Sequence, residues 1–531
     1  MTIRISPGRA LAVAALVAAP SLARAAPWTS GKNYLVIIMD DVAVDKVGSY
    51  AGDFPGYTPT YLPSTPTIDQ LASRGLRFTR AWATPLCSPT RAAFQSGQQP
   101  FRTGIGTVLE NGAPDLDTTR FGTIASSFAA QGYTTGFFGK YHIGRRDANG
   151  VVGPPTTPTF TVPPHPALAG WDRFFGSYDG MLGTAPGLGY FRWNRMGWFK
   201  GGNGTTGVET THATKRTEDI ALGWINTRTQ PWLAVVAFNA AHSGTTAGTA
   251  WGYGDVTSPT YTVQTRSAAL ACLTTSTCAN PTAQAYQALV EDADLKLETL
   301  LNGMDPAVLD NTVIVLFGDN GTPGSNNGTA TAVQESVFNV VGRGKDTVYE
   351  NGIRVPLIVA DGVAWRTGVP GPTIPVIDRR IVAKVNTLDI YNTLFTDAFM
   401  MSLAGLDSMP FNDCFTVNDI YCGFPGKRYG YTESFPSNAS PAGAKVAVSY
   451  GEDTMVACYK GAPYNCLKEA FYDTSTDPLE TTPLAWTGIR ADRLRDYFTN
   501  LHTANPQTSW AHTVLANPVV GFCGAAVPAC P

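Results

Sequence analysis

Charge is scarce in this sequence. Lys, Arg, Asp and Glu make up 15% of its 531 residues, against about 25% in an average soluble chain. The charge present has no basic surplus: 38 Lys and Arg face 41 Asp and Glu, a net of −3. Such a chain cannot neutralise a run of phosphates, so nucleic acid is not an expected partner. No apolar run in the sequence approaches the ~20 residues that cross a bilayer, so no membrane span is expected. Histidine is also rare, with six residues. Apolar residues, by contrast, reach 44%, and 54 Gly and 38 Pro punctuate them. These numbers describe a chain with a large core and many ordered loops.

The first residues carry an address. Arg4 and Arg9 precede the apolar stretch Leu11 to Pro20, and Ala23-Arg24-Ala25 follows. A basic start, a short apolar run and an A-x-A site predict an export signal over residues 1–25, and thus a periplasmic or secreted protein. Cysteine usage fits an oxidising compartment. Eight of nine cysteines fall into close pairs by spacing: Cys272 with Cys278, Cys414 with Cys422, Cys458 with Cys466, and Cys523 with Cys530. Spacing alone does not fix their connectivity. Cys87 is left over.

Asn33 to Met39 is a β-branched apolar run that reads as a strand buried on both faces. Thr134 to Gly139, Trp232 to Phe238, Thr312 to Phe317 and Val355 to Ala360 read the same way. Helical patterns lie between them: one opened by Thr65-Pro66-Thr67, then Phe121 to Ala130, Gln284 to Leu301 and Thr387 to Phe399. The alternation predicts an α/β fold with a large, doubly wound, mostly parallel sheet flanked by helices. Gly150 to Thr214 and Ser243 to Ala279 break the alternation and read as long aromatic-rich loops. From about residue 428, short strand-like runs predict a smaller C-terminal antiparallel subdomain. The expected organisation is a catalytic domain over 26–427 and that subdomain over 428–531.

In a parallel α/β sheet, ligands bind beyond the carboxyl ends of the strands. Those ends carry Asp40-Asp41, Lys140 and His142, His242, and Asp319-Asn320, while Lys345 and Arg354 introduce the fifth strand. Two carboxylates ~4 Å apart repel by about 4 kcal/mol at an effective dielectric of 20, so Asp40, Asp41 and Asp319 need a cation to share one edge. All-oxygen ligation, with Asn320 adding an amide oxygen, suits Ca²⁺ or Mg²⁺. Cys87 sits just before Arg91 to Gly97, which reads as a helix start. A helix N-terminus attracts anions, and a thiol there is expected to have a lowered pKa.

Cys87-Ser88-Pro89-Thr90-Arg91 resembles the C-x-P-x-R signature of formylglycine-dependent sulfatases of the alkaline phosphatase superfamily. Gly139-Lys140-Tyr141-His142 resembles the family's G-K-W-H segment. Lys345 to Pro356 resembles its K-G-x-x-Y-E-G-G-x-R-x-P stretch. Phe471-Tyr472-Asp473 with Asp477-Pro478-Leu479-Glu480 resembles its L-Y-D-L…D-P-x-E motif. The resemblance implies an arylsulfatase-like sulfuric ester hydrolase acting on an aryl or carbohydrate sulfate. It implies that a separate formylglycine-generating enzyme oxidises Cys87 to an aldehyde (3-oxoalanine), whose hydrate attacks sulfur. By the same resemblance, Asp40, Asp41, Asp319, Asn320 and residue 87 bind the metal. Arg91 and His142 position and deprotonate the nucleophile. Lys140 and Lys345 hold the sulfate oxygens, and His242, with Lys345, protonates the leaving oxygen.

The chain departs from that pattern at Tyr141, at Ser243-Gly244 and at Asn351, positions expected to border the pocket. His165, His502 and His512 read as surface or structural residues, and His212 as a pocket candidate. Trp171, Trp193, Trp198, Trp251 and Tyr253 read as loop-packing rings. Two other functions remain open to this sequence. One is a phosphonate monoester or phosphodiester hydrolase of the same superfamily. The other is an unconverted, non-catalytic binder of sulfated glycans.

Overall fold

The computed structural model describes residues 31–503, except 55–56, 58, 112, 152–156, 183–187, 244–256, 259–260, 263, 266–268, 324–342, 417–421, 423–427, 436–443, 460–465, 476–479, 481–483 and 485–488. The expected signal over 1–25 and the Cys523/Cys530 pair lie outside these residues, as do His512, Trp251 and Tyr253.

The chain folds as a mixed α/β protein around a 12-stranded sheet. Its centre is parallel: Thr312–Gly318, Asn33–Met39, Trp232–Ala237, Thr134–Gly139 and Arg173–Gly176 lie side by side in that order. Burial of both faces explains why the central strands are apolar throughout. Leu35, Ile37 and Met39 point into one core layer with Leu289, Val290 and Leu297 of the Pro281–Gly303 helix. Tyr34, Val36 and Ile38 point into the other, with Phe128 of the Ile124–Ala130 helix and Leu394 of the Asp389–Phe399 helix. Helices therefore cover both faces, as expected for a doubly wound sheet. Among the described residues, no helix is long and apolar enough to cross a membrane.

The structure adds detail to the mostly parallel sheet and corrects one expectation, the long loop over Gly150 to Thr214. The Arg354–Asp361 strand is antiparallel to its neighbour, with Phe317 opposite Leu357. Its start therefore lies at the carboxyl edge of the parallel strands; a parallel strand would have begun at the opposite edge. Next to it runs Leu76–Trp82, a strand the apolar-run reading overlooked. LRFTRAW is not a continuous apolar run: Arg77, Thr79 and Arg80 interrupt it, and the two arginines are only partly buried. Gly150 to Thr214 is not a long loop. Thr159–Phe160, Trp193–Phe199 and Gly204–Glu209 extend the sheet there in antiparallel pairs beyond Arg173–Gly176. Their Gly, Thr and aromatic residues alternate too weakly to show a period of two.

Helix starts shifted to their caps. The expected Phe121 helix begins at Ile124, because Thr123 accepts the Ser126 N–H at 3.1 Å and Ser126 Oγ accepts the Thr123 N–H at 2.9 Å, a capping box. The long helix begins at Pro281, where Asn280 accepts the Ala283 N–H at 3.2 Å. The helix expected to open near Arg91 begins at Cys87 itself.

A second, four-stranded antiparallel sheet comprises Tyr429–Ser434, Lys445–Tyr450, Asp453–Tyr459 and Cys466–Asp473. The Ile489–Thr503 helix packs on it through Leu494 and Phe498. Trp82, Tyr349, Ile353, Ala447, Val456 and Tyr472 form a shared core between the two sheets. Disulfides join Cys272 to Cys278 and Cys414 to Cys422. The side chains of Cys458 and Cys466 lie outside the described residues.

Candidate active site

Register brings the strand ends level. Met39 lies opposite Gly318, Ile38 opposite Ala237, and Gly139 opposite Ala237. The residues that follow these ends, Asp40-Asp41, Asp319-Asn320 and Lys140, therefore meet on one edge. Trp82 and Arg354 are register partners at that same edge. From Trp82 a short turn leads to Cys87 at the first position of the Cys87–Ser96 helix. Lys345 precedes Arg354 and reaches the site from the same side. The two antiparallel pairings thus deliver residues 87 and 345 to the acids.

Ligand atoms of Asp40, Asp41, Cys87 and Asp319 all lie within 4.8 Å of one another, and all four residues are buried. Each acid has its own cation. Lys140 Nζ donates to Asp40 at 2.5 Å, Lys345 Nζ to Asp41 at 2.5 Å, and Arg91 Nη2 to Asp319 at 2.7 Å. Cys87 Sγ lies 3.7 Å from Asp40 Oδ1 and 3.4 Å from Lys345 Nζ. Asp41 Oδ2 and Asn320 Oδ1 are buried with no hydrogen-bond partner among the described residues. Buried acceptors are normally satisfied. Two orphan oxygens beside three acids are a donor set that fits a hard divalent cation.

The electrostatics follow from this packing. Burial and the neighbouring Asp319 push Asp40 up to about 7 despite Lys140. Burial also opposes ionisation of Asp41 and Asp319. Lys345 and His242 nevertheless hold Asp41 well below the carboxylate range, and Arg91 with Lys140 lowers Asp319. The cysteine reverses its expectation. Burial pushes the Cys87 thiol up to about 12, outweighing Lys140 and Lys345. The helix terminus is completely enclosed, so the cost of desolvating a thiolate exceeds the attraction of its surroundings. At neutral pH the unmodified side chain is a protonated thiol.

A protein-family model described as Sulfatase matches residues 32–398, a span that contains every one of these groups. The chain belongs to the sulfatase family. It is 40% identical to arylsulfatase A of Bos taurus over 166 residues, 30% of this chain and 27% of that protein. It is 33% identical to steryl-sulfatase of Rattus norvegicus over 154 residues, 28% of this chain and 24% of that protein. The matched stretch spans about a quarter of each curated relative. The fold is shared with the PsFucS1 sulfatase from Pseudoalteromonas sp. at a TM-score of 0.62 and 18% identity, covering 90% of this chain and 91% of that one.

The histidines of this sulfatase divide clearly. His242 joins the site, with a ring nitrogen in reach of Asp41 and Cys87. Its Nδ1 lies 2.9 Å from the Ser243 carbonyl, which can only accept, so Nδ1 carries the hydrogen. Burial, Lys140 and Lys345 push it down to about 3, so the ring is neutral at pH 7. His142 follows Lys140 and is buried. His165 is structural: its ring nitrogens hydrogen-bond the Tyr141 hydroxyl at 2.8 Å and the Leu116 carbonyl at 2.9 Å. Tyr141, expected at the pocket border, is fully buried and serves as that partner. His212 is buried between the rings of Tyr190 and Phe191, with Nδ1 3.6 Å from Asp292. Trp171, Trp193 and Trp198 are buried, as packing rings should be.

One residue escaped the sequence reading. Glu110, in the short turn Leu109–Asn111, places Oε2 2.7 Å from His142 Nε2. It precedes a loop, belongs to no motif quoted above and lies 32 residues from its partner. Glu110 is the sole glutamate between Cys87 and His142, but Asp115 and Asp117 lie in the same stretch, so nothing in the sequence singles it out.

Proposed function

We propose that this sulfatase is an exported, metal-dependent sulfuric ester hydrolase that releases inorganic sulfate from an aryl or carbohydrate sulfate monoester. The observation that carries the reading is the meeting of Cys87, three acids, two lysines and Arg91 in one buried cluster. Asp40, Asp41, Asp319 and Asn320, with residue 87, would hold Ca²⁺ or Mg²⁺. A bound divalent ion would supply Lewis acidity toward the nucleophile and a sulfate oxygen. Oxidation of residue 87 to formylglycine by a separate maturation enzyme would supply a hydrated aldehyde able to expel sulfate and regenerate itself.

The chain's own groups then have defined tasks. The three acids and their three cations cancel in charge. An added divalent ion leaves the site positive, which favours an anionic ester. Lys140 and Lys345 hold sulfate oxygens as charge develops. Arg91 aligns the acid walls, and His142 takes the proton of the nucleophile. Lys345, whose ammonium form is favoured by Asp41 despite burial, carries the proton for the leaving oxygen, with His242 beside it. A buried thiol held in its protonated form supports the converted side chain as the nucleophile.

The test is a comparison of steady-state turnover of an aryl sulfate and a phosphodiester, with peptide mass analysis of the segment around residue 87. Faster aryl sulfate turnover with conversion to the aldehyde supports the reading. Faster phosphodiester turnover assigns the chain to the phosphodiester or phosphonate class. Glycan binding without conversion or turnover assigns it to the binder class.

A further inference from the structure

We propose that Glu110 and Gly180 form a lock that holds His142 in a single orientation and a single tautomer, with Nδ1 bare; this rests on the proton-accepting role of His142 proposed above.

Three observations converge. Glu110 bridges two elements: Oε2 meets His142 Nε2 at 2.7 Å, and Oε1 accepts the backbone N–H of Gly180 at 2.9 Å. An ionised carboxylate has only acceptor lone pairs, so Nε2 must carry the hydrogen. The neutral ring then has its lone pair on Nδ1, which is buried and has no hydrogen-bond partner among the described residues. Finally, a Cβ at Gly180 would fall 2.5 Å from His142 Cε1 and 2.6 Å from Nε2. Only a glycine leaves room for the ring against that backbone.

The charge states agree with the geometry. The hydrogen bond with His142 and the Gly180 N–H hold Glu110 well below the carboxylate range, although partial desolvation opposes it. Burial pushes His142 down to about 4 although Glu110 raises it. A neutral, oriented imidazole whose lone pair has no hydrogen-bond partner among the described residues is a base awaiting a proton. When Nδ1 takes the hydroxyl proton of residue 87, the resulting imidazolium lies against the Glu110 carboxylate. No further proton moves, and the charge is stabilised where it appears. Glu110 is thus a positioning residue, one that acts through the histidine.

The experiment uses the full chain with ¹⁵N-labelled histidine, the His142 signal being assigned by its loss in His142→Asn. The wild type is expected to show the Nε2–H tautomer alone, and Glu110→Ala a mixture of tautomers. This readout needs no turnover, so it stands apart from the sulfatase reading. An Nδ1–H tautomer in the wild type overturns the proposal. On 4-nitrophenyl sulfate, normalised to the converted fraction of residue 87, Glu110→Ala is expected to lose roughly 10–100-fold in kcat, the range for removing an outer partner of a functional histidine, with KM little changed. Gly180→Ala should lose kcat in the same manner. Added formate should restore part of the Glu110→Ala rate, because the turn is open enough for a small carboxylate to enter. Unchanged kcat in Glu110→Ala overturns the proposal. So does a loss that formate does not relieve and that tracks a fall in melting temperature.

Discussion

Arg91 spends two of its donors on a single oxygen of Asp319, from Nε at 2.9 Å and Nη2 at 2.7 Å, with both side chains fully buried. A third donor, Nη1, goes to the Lys140 carbonyl at 2.6 Å. The guanidinium therefore ties the Cys87 helix to the ends of two strands. Removing it would leave the Asp319 carboxylate buried without its cation. Arg91→Ala is expected to cost about 3–5 kcal/mol, the usual penalty for breaking a buried ion pair. Lysine cannot reproduce the fork, so Arg91→Lys should recover only part. Denaturant unfolding measures both; a loss for Arg91→Ala within the ~0.5 kcal/mol of a surface substitution contradicts this account.

On the proposed mechanism, Cys87→Ala removes the nucleophile and little else. The side chain is small, and its contacts at 3.4 and 3.7 Å are weak ones through sulfur. Turnover should vanish while stability stays within about 1 kcal/mol of the parent. Assay of the purified variant alongside its thermal melt decides the matter, and retained turnover places the nucleophile elsewhere.

Chelation should inactivate the enzyme, and Ca²⁺ or Mg²⁺ should restore it. A stability readout accompanies this, since an ion that binds only the folded chain adds about 2.7 kcal/mol at 100 times its Kd. The melting temperature of the stripped protein should therefore rise with added ion. Asp41→Asn should reduce that rise, because Asp41 Oδ2 is one of the two orphan oxygens. A melt indifferent to both ions would remove the metal from the proposal.

Glu480 makes stability depend on pH where the second sheet meets the first. Its Oε2 accepts the Glu350 N–H at 2.8 Å, and its backbone carbonyl accepts from Arg343. Burial, then the nearby Glu350 charge, push its carboxyl up to about 8 from 4.5. A group with a raised folded pKa stabilises fully below its unfolded value and loses that contribution as pH rises through the folded one. Thermal stability should therefore decline between about pH 4.5 and 8 through this residue. Glu480→Gln keeps the shape and removes the charge, so its melting curve should be flatter over that window. Parallel pH dependence in the two proteins would refute the assignment.

The sequence by itself determined the class of fold and the chemical inventory. Apolar, β-branched runs such as NYLVIIM read as strands buried on both faces, and in a parallel sheet the polar residues that end them gather at one edge. Asp40, Asp41, Lys140, Asp319 and Asn320 were legible for that reason. Tertiary structure decided what depends on neighbours far along the chain. Direction is one case: the antiparallel Arg354–Asp361 strand and the Leu76–Trp82 strand paired with it bring Lys345 and Cys87 to the acids. Protonation is another, since burial at the same helix start that promises a lowered thiol pKa pushes it up instead. The Glu110–His142–Gly180 contact is a third. A hydrogen bond between residues 32 apart leaves no period, run or spacing in the sequence, because only the packed backbone brings its partners within reach.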